Sequence, residues 1–394
     1  MRILARMFGP GVVVGALLAT AAHAADFHGF DPESFSGAPL SAEQLKAMVA
    51  EAVAAHPPRN GAKLTIGFAN LQRDIVFCQR VEKGLLDNAA LAGVDLLVSD
   101  NRLDGATALS NAQSFIQRGV DAAIEFQTDA NFGPIIMKAF DDAETKVTAI
   151  DIPMGGATFF GANNPRSGFM GGSYLAQAAI ALKGLDTVRK GYLVVGELPQ
   201  SGAIPMMRTN GEAAGFLATV KDFPPGQVIK IDTKNTLQES FAQMTNILPR
   251  IPPGVPIMVT AINDQSASGM LRAAKQAGRE DDVVAVGMGA DETETLVNEP
   301  RFVASVGYFP ERYGNYLLPI ALMHLAGKEV PPSVLVNHVM ISKANVCDYY
   351  PSFKCDPKGA VVDYKFPQAE FEAYLASLRG DPTLEAYKTL IPTK

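Results

Sequence analysis

From Lys63 onward the chain repeats one unit. A short apolar run is followed by a polar break and then an amphipathic helix, at an interval of about 30 residues. The apolar runs at Leu64–Ala69, Asp95–Val98, Ala122–Phe126 and Val147–Ile150 predict strands. The stretches at Val76–Ala92, Gly105–Gln117 and Phe132–Ala143 predict the helices between them. Gly93 and Gly119 stand where helices should stop, and Asp104 stands where one should be capped. Alternation of this kind allows few folds other than a parallel, doubly wound α/β sheet. In such a sheet ligands bind beyond the carboxyl ends of the strands. That places weight on the polar breaks, above all Gln72-Arg73-Asp74 and the nearby Phe77 and Cys78.

The segment Gly155–Gly172, rich in Gly and Asn, interrupts the rhythm. It resumes with predicted strands at Tyr192–Val195, Val228–Ile231, Ile257–Thr260 and Val283–Val286, and helices at Pro205–Ala218, Leu237–Leu248 and Ser266–Ala277. A strand at Phe302–Val306, a helix at Glu311–Ala326, a strand at Val334–Ile341 and a helix at Phe366–Arg379 complete the expectation. The length suffices for two α/β domains with real cores. A cleft between them would collect the carboxyl edges of both sheets.

Ahead of the repeat stand two other segments. Met1–Ala24 has Arg2 and Arg6, an apolar run over Met7–Thr20 and the small-residue site Ala22-His23-Ala24, the pattern of a cleavable secretory signal peptide. The run is too short for a membrane span. Residues 25–62 read as an extension with one helix, from Ser41, whose pairing with Gln44 fits a capping box, to Pro57-Pro58. An exported chain can hold a disulfide, and Cys347 and Cys355 lie close enough in sequence to form it, leaving Cys78 as a buried thiol. The net charge of −7 and the lack of a clustered basic stretch argue against a nucleic-acid partner. No histidine lies between Pro57 and Met323, so histidine-based catalysis and zinc ligation have little to draw on. Neither a phosphate loop nor a complete dinucleotide turn appears. No cofactor or metal is expected. Catalysis by carboxylates alone stays open.

Over Lys63–Ile341 the chain resembles the sugar-binding periplasmic proteins of ABC importers, the ribose- and galactose-type branch. The likeness rests on an ordered series of short motifs. These are Thr65…Phe77-Cys78…Gly84, the strand-end aspartate of Val147–Asp151, Gly161-Ala162-Asn163-Asn164 with Gly171-Gly172, and Arg208-Thr209-Asn210-Gly211. Ala261-Ile262-Asn263-Asp264, Val286-Gly287 and Phe309-Pro310…Gly314 follow. The resemblance implies two doubly wound lobes joined by three hinge crossings, near Gly161–Pro165, Gly307–Tyr308 and Val330–Ser333. Lobe one would comprise residues 63–163 and 308–330, lobe two residues 164–307 and 331–345, and a tail residues 346–394.

It also implies a ligand site. Phe77 would stack on the ligand, Asp151 would take its hydroxyls, Arg208 would reach it from lobe two, and Asn263 would bind it with Asp264 beside it. Each has a plainer alternative. Phe77 would suit a helix core, Asp151 a turn cap, Arg208 a surface ion pair and Asn263 a helix N-cap. The chain departs from the family pattern at Cys78, where a second aromatic is expected. It departs again at Ile152, where ribose-type members carry Arg, at Gly289 with Asp291 two residues on, and at Tyr308 in the hinge. Arg73, Asp74, Gln127 and Asp129 are further candidates for ligand contacts. The implied function is that of a monomeric periplasmic solute-binding protein that captures a monosaccharide or polyol and delivers it to a membrane permease. A carbohydrate-processing enzyme with paired carboxylates, or the same fold feeding a kinase or chemoreceptor, are the alternatives.

Overall fold

The structure, a computed structural model, describes residues 27–393. The expected signal peptide lies outside the described residues. Among the described residues, twelve strands form two six-stranded sheets. The first takes β1 (Thr65–Asn70), β2 (Asp95–Asp100), β3 (Ala122–Glu125), β4 (Lys146–Ile150), β5 (Thr158–Ala162) and β11 (Ser333–Val336), in the order β11-β5-β4-β3-β1-β2, all parallel. The second takes β6 (Tyr192–Glu197), β7 (Val228–Asp232), β8 (Ile257–Ala261), β9 (Val283–Gly289), β10 (Phe302–Gly307) and β12 (Val339–Ile341), in the order β12-β10-β9-β8-β6-β7. Only β12 is antiparallel, pairing with β10.

The central strands β1, β3 and β8 are buried along their whole length. Helices cover both faces of the sheets, which is why these strands read as continuous apolar runs. Edge strand β2 is half-exposed and begins and ends with aspartate, charges that discourage pairing with another edge. Local signals act as their chemistry demands. Asp104 accepts a hydrogen bond from the Thr107 amide at 2.7 Å. Gly93 ends its helix in the left-handed region at φ 77°. Ser41 and Gln44 exchange capping-box bonds of 3.2 and 3.0 Å at the start of helix Ala42–Ala55. That helix packs on helices Val76–Ala92 and Gly314–Leu325 of the first lobe.

Three differences from the sequence reading matter. The segment taken as a break in the rhythm contains β5 and the start of helix Asn164–Lys183. Gly155 and Gly156 form a turn ahead of β5, while the glycines of the helix serve close packing. A Cβ on Gly168 or Gly172 would strike the backbone carbonyls of Arg208 and Glu212 on helix Ala203–Thr219. The run Val334–Ile341 is two strands, not one. The third crossing falls between Val336 and Val339 rather than at Val330–Ser333, because Ser333–Val336 pairs with β5 and so extends the first sheet. The apolar run carries straight through this handover, and only Asn337-His338 marks it.

His338 ties the three crossings together. Its Nε2 accepts from the amide of Asn163 at 3.0 Å, and its Nδ1 lies 3.3 Å from the carbonyl of Gly307. Burial, with the nearby arginines, drops its pKa to about 3, so the ring stays neutral and keeps both bonds. The tail also spans the lobes. Phe371 and Leu375 of helix Gln368–Gly380 pack with Phe159 of β5 and with Phe169, Ile204 and Met207 of the second lobe. Cys347 and Cys355 are joined as a disulfide, and Cys78 is buried and free.

Candidate functional site

A cavity lies between the two carboxyl edges, where strand-end loops from both lobes converge. The lobes are shut on it. Nδ2 of Asn235 donates to Oε1 of Gln72 at 3.0 Å across the cleft. Nε2 of Gln200 reaches the carbonyls of Thr128 and Leu103 at 3.3 and 3.4 Å.

From the first lobe, Leu71, Ile75, Phe77, Phe126, Asp151 and Ile152 line the cavity. Leu198, Ser201, Pro205, Arg208, Asn235, Ile262, Asn263 and Met288 come from the second, and Tyr308 from the hinge. Two charges face this space. Asp151 ends β4 in the left-handed region, at φ 53°, a conformation Asp tolerates better than most residues. Its Oδ1 accepts from the amide of Ala162 at 2.9 Å, which fixes the carboxylate. Burial raises its pKa, while Arg208 and the Ala162 amide pull the other way. Arg208 is buried on helix Ala203–Thr219. Nε donates to Oδ1 of Asn164 at 3.0 Å and Nη1 to the carbonyl of Ile262 at 2.8 Å. The close helix contact at Gly168 holds the backbone beneath it. The two charges make no direct ion pair, so a ligand with both donors and acceptors can bridge them.

Tyr308 links this pair to the hinge. The Arg208 guanidinium lies 4.8 Å from its ring centre. Its hydroxyl donates to Oγ of Ser167 at 2.8 Å. Phe77 meets its ring edge-on at 6.3 Å, and the His338 ring lies 4.3 Å away.

Five of the expected residues therefore line one cavity: Phe77, Asp151, Arg208, Asn263 and Tyr308. For Asn263 both readings hold. It lines the cavity, and its Oδ1 caps helix Asp264–Gln276 by accepting from the Ser266 amide at 2.8 Å. The other six stand elsewhere. Arg73 is turned outward and paired with Glu82, Nε to Oε2 at 2.8 Å. Asp74 is exposed and accepts from Gln72 at 2.8 Å. Gln127 is buried with its amide towards Gly133, off the cavity wall. Asp129 caps the short turn Ala130–Phe132. Asp264 accepts from Oγ of Ser305 at 2.6 Å and from the amides of Asp291 and Glu292 at 3.0 and 3.2 Å, so it holds the loop after β9. Asp291 lies buried behind Gly289; burial first, then the charges of Asp264 and Glu292, lift its pKa well above the usual carboxylate range.

Asn235 and Ser201 were missed by the sequence reading. Asn235 follows β7 in a turn with Lys234, both at positive φ. Applying the carboxyl-edge rule to every strand would have singled it out. Among the lining residues Asp151 brings the only carboxylate.

Comparison with known proteins agrees with this architecture. Residues 66–329 match the family described as periplasmic binding protein domain. A putative rhizopine-binding protein of Rhizobium meliloti is 29% identical over 319 residues, 77% of this chain and 96% of that protein. A ribose import binding protein of Bacillus subtilis is 23% identical over 288 residues, 71% of this chain and 88% of that one. Among solved structures, an ABC transporter solute-binding protein from Bacillus halodurans with bound myo-inositol superposes with a TM-score of 0.61 at 20% identity. It covers 74% of this chain and 99% of its own. One from Agrobacterium vitis bound with α-D-tagatopyranose gives 0.63 at 18% identity, covering 75% and 100%.

Proposed function

The chain belongs to the periplasmic binding protein domain family, and from that premise we propose that it is the solute-binding component of an ABC import system. It captures a small hydroxylated ligand, a monosaccharide or polyol, in the periplasm and delivers it to the membrane permease. The relatives named for ribose import and rhizopine binding, and the structures holding myo-inositol and tagatose, support that ligand class.

One observation carries the reading: Asp151 from one lobe and Arg208 from the other face the same cavity without pairing with each other. A hydroxyl donates to a carboxylate and accepts from a guanidinium, so one ligand satisfies both only when the lobes are together. Ligand therefore stabilises the closed state over the open one, and closure is a population shift rather than a chemical step. The hinge bonds of His338 and the tail packed on both lobes set the path of that motion.

A thermal-shift screen of the exported chain against sugars, polyols and nucleosides tests this. Ligand at 100 times its Kd adds about 2.7 kcal/mol of stability. For lobes of this size that raises Tm by several degrees. Arg208→Ala should remove the shift and leave a cooperative unfolding transition. If only non-hydroxylated compounds raise Tm, the reading is wrong.

A further inference from the structure

We propose that the ligand is a short-chain vicinal diol, with a hydrocarbon body and few hydroxyls, rather than a fully hydroxylated sugar. The inference rests on the solute-binding reading above and narrows it. It follows from where the cavity's polar groups stand, from its hydrocarbon wall and from its size.

A pyranose or inositol carries a hydroxyl on nearly every carbon, and each needs a partner when buried. The cavity's amides and hydroxyls are largely spent on the protein itself. Nδ2 of Asn263 donates to Asn235, and its Oδ1 caps a helix. Asn235 accepts from Asn263 and donates to Gln72 across the cleft. Ser201 donates to the Leu198 carbonyl at 2.6 Å, and Tyr308 to Ser167. The charged positions that remain belong to two groups. Asp151 keeps Oδ2, and Arg208 keeps both N–H groups of Nη2 and one of Nη1, while the Ser201 and Tyr308 hydroxyls can each still accept. A carboxylate facing a guanidinium suits an adjacent pair of hydroxyls.

The rest of the wall is hydrocarbon. Leu71, Ile75, Phe126, Ile152, Leu198 and Met288 are all at most 5% exposed and offer no side-chain donor or oxygen acceptor. Ile152 stands directly beside Asp151, where a second polar side chain would be needed to hold a neighbouring hydroxyl. Size points the same way. The shut cavity offers about 60 Å³ to the centre of a water molecule. An apolar cavity of roughly 150 Å³ takes benzene, so a molecule of a few carbons fits this space better than a sugar ring. Even so few atoms can support useful affinity when each is well placed.

Isothermal titration of the full exported chain with propylene glycol, 2,3-butanediol, D-ribose and myo-inositol tests the proposal. The expected result is that a diol binds at least ten times more tightly than either hydroxyl-rich compound. Equal or tighter binding of ribose or inositol overturns the proposal and leaves the solute-binding reading standing. If no hydroxyl compound binds and a screen instead finds an amino acid or carboxylate, the hydroxylated-ligand reading falls with it. Ile152→Asn adds a donor and an acceptor beside Asp151 and should shrink the diol preference about tenfold. Met288→Gln makes the same change from the second lobe, should Ile152→Asn not fold. A folded variant of either kind with an unchanged preference counts against the apolar wall as its source.

Discussion

Asp151 ends β4 at the carboxyl edge of the first sheet, and Asp264 stands a short turn beyond β8 at that of the second. Both are buried and both are raised in pKa by that burial, Asp264 to about 6. Their partners separate them. Three protein donors reach Asp264: the Ser305 hydroxyl and two amides of the loop after β9. One donor, the Ala162 amide, reaches Asp151. A strand-end carboxylate is thus a structural hub when the protein fills its lone pairs, and is left free to accept further donors when some face a cavity.

The sharpest way to break this comparison is to remove the hub. Asp264→Ala strands two amides and a hydroxyl in a buried place. It should cost about 3–5 kcal/mol of folding stability, read as a lowered midpoint in denaturant unfolding. A loss under about 1 kcal/mol would mean that the loop after β9 holds itself. Asp151→Asn is the counterpart. The shape and the bond from Ala162 survive, but the charge does not. Because burial disfavours the carboxylate, stability should hold or rise, while ligand affinity falls by about 3 kcal/mol, roughly 100-fold, as expected for a charged hydrogen bond. Titration calorimetry on the purified variant measures it. An equal loss of stability in both variants would erase the distinction.

The same pair shows what the sequence made legible. The β-α rhythm located most of the lobes' strands, though not β5 or the split between β11 and β12, and the family resemblance singled out Asp151, Arg208, Asn263 and Tyr308, which line the cavity. Whether a polar residue at such an edge faces the ligand depends on its partners, and those come from distant positions. Arg73 is taken by Glu82, one helical turn or more beyond it. Asp264 is taken by Ser305, on another strand. Gln72 reaches Asn235 in the opposite lobe. No local pattern announces these pairings. The third crossing was hidden for a related reason. An apolar run looks the same whether it stays in one sheet or passes between two, and the buried His338 that marks the passage gives no periodic signal.

A third strand-end carboxylate extends the comparison with a smaller effect. Glu125 closes β3, fully buried, with Oε1 accepting from Nδ2 of Asn101 at 2.9 Å and Oε2 without a hydrogen bond among the described residues. Burial lifts its pKa to about 8, only partly countered by Asn101. In the unfolded chain the same group titrates near its ordinary value, so between about pH 4.5 and 8 the unfolded state gives up a proton that the folded state keeps. The folded state binds more protons there, and this group's contribution to stability falls as pH rises. Glu125→Gln keeps the acceptor for Asn101 and removes the proton. Relative to the wild type, the variant should gain stability on the order of 3–4 kcal/mol between pH 5 and pH 8, with little difference below pH 4.5. Paired denaturant titrations across that range measure it, and because His338 and Asp264 titrate in both proteins, the difference isolates Glu125. A constant offset between the two curves would mean that Glu125 ionises in the folded protein much as it does in water.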